Sequence, residues 1–151
     1  MAVVKKLSVQ NIRSHDSFTT DLSPTVTVLT GKNGSGKTSL IEAIYVALQG
    51  SSFKGSDSEL LRKDSPWWRI DVLFDDGAKR TAKFEPERPA GRKQFVVDDK
   101  TSYRLMPKNK HPIVLFDPDD LRLLNGSPAR RRQFIDRFIS QLDPSYATTL
   151  H

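Results

Sequence analysis

The 151-residue chain contains no cysteine. Disulfides, thiolate metal sites and thiol catalysis are excluded with it, and a reducing compartment is allowed. Its three histidines, His15, His111 and His151, show no metal-binding spacing. Long apolar runs are also missing. Met1–Gln10 has no hydrophobic signal core, and no stretch approaches the length of a bilayer span. These absences predict a soluble, cytoplasmic protein with no membrane partner. Acidic residues are outnumbered, 18 Asp+Glu against 24 Lys+Arg, and the net charge of +6 favours polyanionic partners such as nucleic acid. With 36% hydrophobic and 28% charged residues, the chain has the material for one ordinary core. It shows no internal repeat and no low-complexity tract.

Glycine is scarce too, yet three of the eight glycines fall in GKNGSGKT, Gly31 to Thr38. Gly31, Lys32, Asn33, Gly34, Ser35, Gly36, Lys37 and Thr38 satisfy the phosphate-loop pattern G-x-x-x-x-G-K-[ST]. Without Cβ atoms in the way, backbone N–H groups can converge on phosphate oxygens. The loop opens a helix whose free N–H groups and partial positive charge favour an anion. Lys37 is expected on the β- and γ-phosphates, and Thr38 as a ligand of Mg²⁺, with Ser39 the weaker second candidate. The predicted ligand is therefore ATP or another nucleoside triphosphate with its Mg²⁺. The loop identifies a nucleotide site and leaves the function open, because many enzyme classes use it.

The flanks agree with the loop. Val3–Ile12 reads as a strand, and Thr25–Thr30, β-branched and bounded by Pro24 and Gly31, as a second. Leu40, Ile41, Ala43, Ile44, Ala47 and Leu48 give a helical period that Gly50 closes. Leu60–Arg62 reads as a helical turn. Arg69–Phe74 and Ala78–Glu85 form a predicted hairpin through Asp75-Asp76-Gly77, and Pro86–Gly91 reads as an irregular connection. Phe95–Val97 predicts another strand, turning at Asp98-Asp99 into Lys100–Tyr103. Ile113–Phe116 (IVLF) predicts a strand buried on both faces. Asp117, Pro118, Asp119 and Asp120 then form a complete helix-start signature. Asn125-Gly126 ends that short helix. Ser127-Pro128 opens another, with Phe134, Phe138 and Leu142 at four-residue spacing and Asp143-Pro144 as its stop.

Two segments resemble catalytic motifs without satisfying them. IVLFD ending at Asp117 has the form of a Walker B strand, but Pro118 stands where a catalytic glutamate belongs, and capping explains the aspartate. LNGSPARRR, Leu124 to Arg132, echoes an ABC signature helix, yet Pro128 replaces its glutamine and the segment follows the apolar strand instead of preceding one. Catalytic residues are thus unassigned. Arg130, Arg131 and Arg132 put positive charge in a first helical turn, against the dipole. They read equally as a solvated face near acids such as Asp136 and as a DNA-phosphate or subunit contact. Trp67 and Trp68 read as packing residues over base-stacking ones, and Lys108–Lys110 as either a phosphate contact or a solvated loop.

The segments LSVQNIRSHDSFTTDLSPTVTVLTGKNGSGKTSLIEAIYVALQGSSFK and IVLFDPDDLRLLNGSPARRRQFIDRFISQLDPSY resemble the bacterial RecF recombination-repair ATPases. The first is shared in part with SMC and RecN heads; the second is more specific to RecF. Together they cover over half the chain, and the middle hairpin matches in pattern alone. The resemblance implies an α/β fold of the P-loop NTPase, ABC-ATPase head type. Its mixed sheet would surround the P-loop helix, with an antiparallel β subdomain and C-terminal helices. It places the nucleotide-binding core at about 1–66 and 112–126, the antiparallel subdomain at about 67–105, and the start of a helical arm at 127–151. It implies an ATP-dependent homodimer that binds duplex, gapped or junction DNA and helps load RecA with RecO and RecR mediators. It sets Arg13, in NIR, on the nucleotide; Ile12 stands where the family's pattern has phenylalanine. It further implies that Walker B, signature and catalytic glutamate lie in a C-terminal part, so that the sequence reads as an N-terminal fragment that binds ATP without efficient hydrolysis.

Rival readings are an SMC- or RecN-like head, a P-loop kinase of small metabolites using Arg88, Arg92 and Arg130–Arg132 as a lid, and a nucleotide-dependent interaction module without turnover. Stimulation of hydrolysis by DNA separates the repair reading from the last two.

Overall fold

The computed structural model describes residues 3–89, 92–116, 120, 127–143 and 145–146. The chain divides into two compact units, Met1–Asn109 and Lys110–His151.

The first unit is built on one sheet. Its strands are β1 (Val4–Ile12), β2 (His15–Asp21), β3 (Trp68–Phe74), β4 (Lys79–Phe84), β5 (Lys93–Val97) and β6 (Lys100–Ser102), and its helices are α1 (Lys37–Gln49) and α2 (Asp57–Leu60). The six strands lie in the order β2-β1-β3-β4-β5-β6, every neighbour antiparallel. The expected mixed sheet is therefore corrected: among the described residues it is antiparallel throughout. Because β1 pairs with β3, the sheet also runs across the boundary expected near residue 66.

Turn chemistry explains most of the order. The β3–β4 hairpin closes with Gly77 in the left-handed region (φ 86) and Phe74 N–H donating to the Ala78 carbonyl. Asp98 and Asp99 both have positive φ between β5 and β6, a conformation that aspartate tolerates better than most residues. Strand β2 went unpredicted. It is a half-exposed edge strand whose only large apolar residue is Phe18, so hydrophobic alternation does not mark it.

Side chains alternate across the sheet with period two. Leu7, Val9, Ile70, Val72, Ala82 and Phe95 are buried, and α1 packs on β1, β3 and β4 with Leu40, Ala43, Val46 and Ala47. Each large aliphatic side chain so covered contributes about 1.5–3 kcal/mol. The small Ala43 and Ala47 let the helix lie close. Gly50 ends α1 in the left-handed region, its N–H on the Val46 carbonyl, and Arg80 reaches from β4 to the Ala47 carbonyl at 2.8 Å. Trp68 is fully buried, stacked on Phe84, with its indole N–H donating to the Asp57 carbonyl. Packing is therefore its role. Trp67 is half-buried, with the Lys83 ammonium over its ring.

Two expected strands are absent. Thr25–Thr30 is unpaired, with Val26 72% and Val28 75% exposed. In the second unit, residues 113–116 are unpaired too, with Val114 and Phe116 exposed. A strand exists by exchanging hydrogen bonds with a neighbour, and neither run has a ladder partner among the described residues. The helical turn expected at Leu60–Arg62 is α2 instead, shifted toward the N-terminus and held by a Ser56/Glu59 capping box.

In the second unit, α3 (Pro128–Leu142) starts with proline in its first turn and ends at Asp143, as its sequence predicts, although the Ser127 side chain makes no capping bond. Gln141 accepts from the Ile113 N–H, and Tyr146 donates to Asp136. Asp117, Pro118, Asp119 and Asn125-Gly126 lie outside the described residues. No helix among the described residues is long and apolar enough to cross a membrane.

Candidate functional site

The phosphate loop leads directly into α1. Gly36 is the N-cap residue with φ 89, a left-handed conformation that disfavours any side chain, and a Cβ there would collide with the His15 ring and the Ser14 hydroxyl. The loop therefore lies against the β1–β2 turn, where His15 Nε2 donates to the Gly36 carbonyl at 3.1 Å. No side chain caps the N-terminus of α1, and no acidic residue occupies its first turn. Its free N–H groups and positive end are thus available to an anion.

Lys37 folds back over the loop and donates to the carbonyls of Gly31 and Lys32, both at 2.8 Å. Ser35 N–H donates to the Lys32 carbonyl and tightens the turn. A cavity of about 460 Å³ opens in front of the helix end, lined by Arg13, Ser14, Asn33, Gly34, Gly36, Lys37, Thr38, Ser39 and Lys54. Of the residues read from the motif, Gly31, Lys32 and Ser35 shape the loop without lining this cavity. Thr38 is exposed at the cavity, whereas Ser39 is buried.

Arg13 occupies the tip of the β1–β2 hairpin with φ 46, and its backbone N–H is held by the Leu60 carbonyl at 3.0 Å. Arg13 lines the cavity, and its guanidinium pairs with Glu42 on α1, Nη2 standing 3.1 Å from Oε1 and 3.0 Å from Oε2. Glu42 is fully buried and also accepts from the Ser52 hydroxyl at 2.5 Å. Removing one partner of a buried pair leaves an uncompensated charge and costs about 3–5 kcal/mol.

Sequence reasoning missed Ser14, His15, Glu42, Ser52 and Lys54. One signal was present: Glu42 interrupts the buried positions Ser39, Leu40, Ala43 and Val46 of α1, and a carboxylate in such a stripe requires a partner.

Arg130–Arg132 fall in the first turn of α3, in the second unit; Arg131 and Arg132 are exposed. Asp136, their expected acidic neighbour, accepts from Tyr146. Arg88 donates to Gln94 at 2.8 Å. Lys108 and Lys110 are exposed. No group of three or more His, Asp or Glu residues able to hold a metal exists among the described residues.

The family model described as "AAA domain" matches residues 6–146. The chain is 34% identical to the DNA replication and repair protein RecF of Leptospira interrogans serogroup Icterohaemorrhagiae serovar Lai (strain 56601), over 97% of this chain and 41% of that protein. It is 34% identical to the protein of the same description from Staphylococcus haemolyticus (strain JCSC1435), over 97% of this chain and 40% of that one. Among solved structures it is similar to the recombination mediator protein RecF-ATP in the RecFOR pathway, with a TM-score of 0.78 and 28% identity over 99% of this chain and 41% of that chain. The chain thus spans about 41% of the length of the relatives it matches, and its fold is that of a P-loop ABC-ATPase head.

Proposed function

Because the chain belongs to the AAA domain family and is of the RecF type, we propose that it is the ATP-binding part of a DNA-binding protein of recombinational repair. The observation that carries this reading is the loop itself: Gly36 pressed on the β1–β2 turn, an uncapped helix end, and Lys37 beside a cavity of about 460 Å³. The phosphates of ATP would lie on the backbone N–H groups of the loop and of the first turn of α1. Lys37 would exchange two neutral carbonyls for anionic phosphate oxygens, turning ion–dipole contacts into an ion pair.

The residues fit Mg²⁺ as a companion of the nucleotide. The exposed Thr38 hydroxyl supplies one oxygen, and Mg²⁺ is commonly held by few protein ligands together with phosphates. When bound, the ion neutralises charge on the phosphate oxygens. The chain holds no Asp-Glu pair after an apolar strand, so its sequence offers no Walker B glutamate to activate water, and this chain alone should turn over very little ATP.

ATP in this reading is a clamp switch. Two copies would close around DNA in the ATP state and, with RecO- and RecR-type mediators, help load a RecA-type recombinase at gaps. The solved relative's place in the RecFOR pathway supports this reading, as does the net charge of +6. Contacts would go to backbone phosphates, with Arg130, Arg131 and Arg132 the candidates in this chain.

DNA affinity across a salt series, with and without ATP, tests the proposal. ATP should tighten binding, and replacing the three arginines by alanine should flatten the salt slope by roughly 0.9 per lost contact. Affinity indifferent to both salt and ATP would overturn the clamp.

A further inference from the structure

We propose that Lys54 is a second phosphate-binding cation of this site, and that the buried Glu42 carboxylate positions both Lys54 and Arg13 there. The inference rests on the nucleotide reading of the loop and extends it to a segment outside the motif.

Glu42 stands at the centre of the arrangement. Its carboxylate receives Arg13 directly, at 3.0–3.1 Å, and the Ser52 hydroxyl at 2.5 Å. A serine hydroxyl has one donor and two acceptor sites, and all are used here. Ser52 Oγ donates to Glu42 and accepts the backbone N–H groups of Lys54, at 2.9 Å, and of Gly55, at 3.1 Å. The loop that carries Lys54 is therefore pinned to α1 through a fully buried group, although the loop itself is exposed.

The consequence is a cavity with three cationic residues in its lining. Arg13, Lys37 and Lys54 line it, and no aspartate or glutamate does. The Glu42 charge sits behind this surface, where Arg13 answers it. Lys54 takes part in no ion pair among the described residues. Lys37 and Lys54 then supply two positive charges that nothing in the lining offsets, against the roughly two negative charges of a magnesium-bound nucleoside triphosphate. Like charges fixed around one concave space repel one another at about 1 kcal/mol per pair at 4 Å even in water, and an anion bound among them removes that repulsion. A solvated lysine would need no such anchoring of its backbone.

Calorimetric titration of the 151-residue chain with ATP·Mg²⁺ tests this, with inorganic triphosphate as a competing probe. Lys54→Ala should weaken ATP binding about tenfold, the size of one charge-assisted hydrogen bond, leave the melting temperature of the nucleotide-free protein unchanged, and reduce competition by triphosphate equally. Lys54→Arg should restore most of the affinity. Ser52→Ala should weaken binding in the same direction and Ser52→Thr should recover it, which separates positioning from folding. If wild type binds, Lys37→Ala does not, and Lys54→Ala matches wild type, the role of Lys54 is overturned while the nucleotide site stands. If folded wild type binds neither ATP nor triphosphate, both fall together.

Discussion

Strand β3 (WRIDVLF) and the run Thr25–Thr30 (TVTVLT) are of similar length and similar β-forming composition, yet they end in opposite states. In β3, Ile70 is fully buried and Val72 is 2% exposed; in the run, Val26 and Val28 stay 72% and 75% exposed. The difference is one of neighbours. β3 has β1 on one edge and β4 on the other, with α1 packed on a face. The run has no ladder partner among the described residues. Antiparallel strands bring their partner through a short turn, whereas a parallel strand must find it across a long crossover. Apolar composition thus states how much a segment gains by burial, and the pairing decides whether burial occurs.

The largest effect expected from this comparison is in β3. Ile70→Ala should destabilise the chain by about 2–5 kcal/mol in urea unfolding, since it empties a closed core. A loss below about 1 kcal/mol would show that β3 is no better packed than the run.

The Lys93–Asp57 pair comes next, because it ties β5 to α2. Its N–O distance is 2.5 Å, and the ammonium lies near the Trp68 and Phe95 rings. Asp57→Ala leaves the partly exposed ammonium without its partner and should cost about 1–3 kcal/mol. Burial holds the Lys93 pKa below its ordinary value, partly offset by the hydrogen bond and charge of Asp57. The unfolded chain therefore binds the proton more tightly. Stability should rise with pH from the folded pKa of Lys93 up toward the ordinary value of 10.5, with no contribution from this group below that window. Lys93→Met should flatten the rise; an unchanged profile would remove Lys93 as its source.

Gly36→Ala should cost about 1–2 kcal/mol from its left-handed backbone and abolish ATP binding by displacing the His15 contact. Retained affinity would mean that the loop tolerates a side chain where it meets the β1–β2 turn. The smallest effect belongs to the run itself: Val28→Ala should change stability by less than about 0.5 kcal/mol. A larger loss would reveal a partner for the segment.

Features set by contiguous residues are legible in the sequence, and features set by a distant partner are not. The loop before α1 stands out in the sequence almost residue by residue, because the phosphate-loop pattern demands glycine, lysine and threonine in contiguous order. The β3–β4 and β5–β6 hairpins were read from Gly77 and from Asp98-Asp99, whose backbone conformations announce turns. β2 was missed because Phe18 is its only large apolar residue. The bracket around Glu42 was missed because it is tertiary: Ser52 lies 10 residues away and Arg13 lies 29 away. Thr25–Thr30 and Ile113–Phe116 were read as strands from composition, which carries no information about a partner.

Titration of the chain with ATP·Mg²⁺ beside its Lys37→Ala variant decides whether the loop in front of α1 holds a nucleoside triphosphate through Lys37. Wild type should bind and the variant should lose at least tenfold in affinity, about 1.4 kcal/mol, with unfolding curves that superimpose. Equal affinity in the two proteins would contradict the claim.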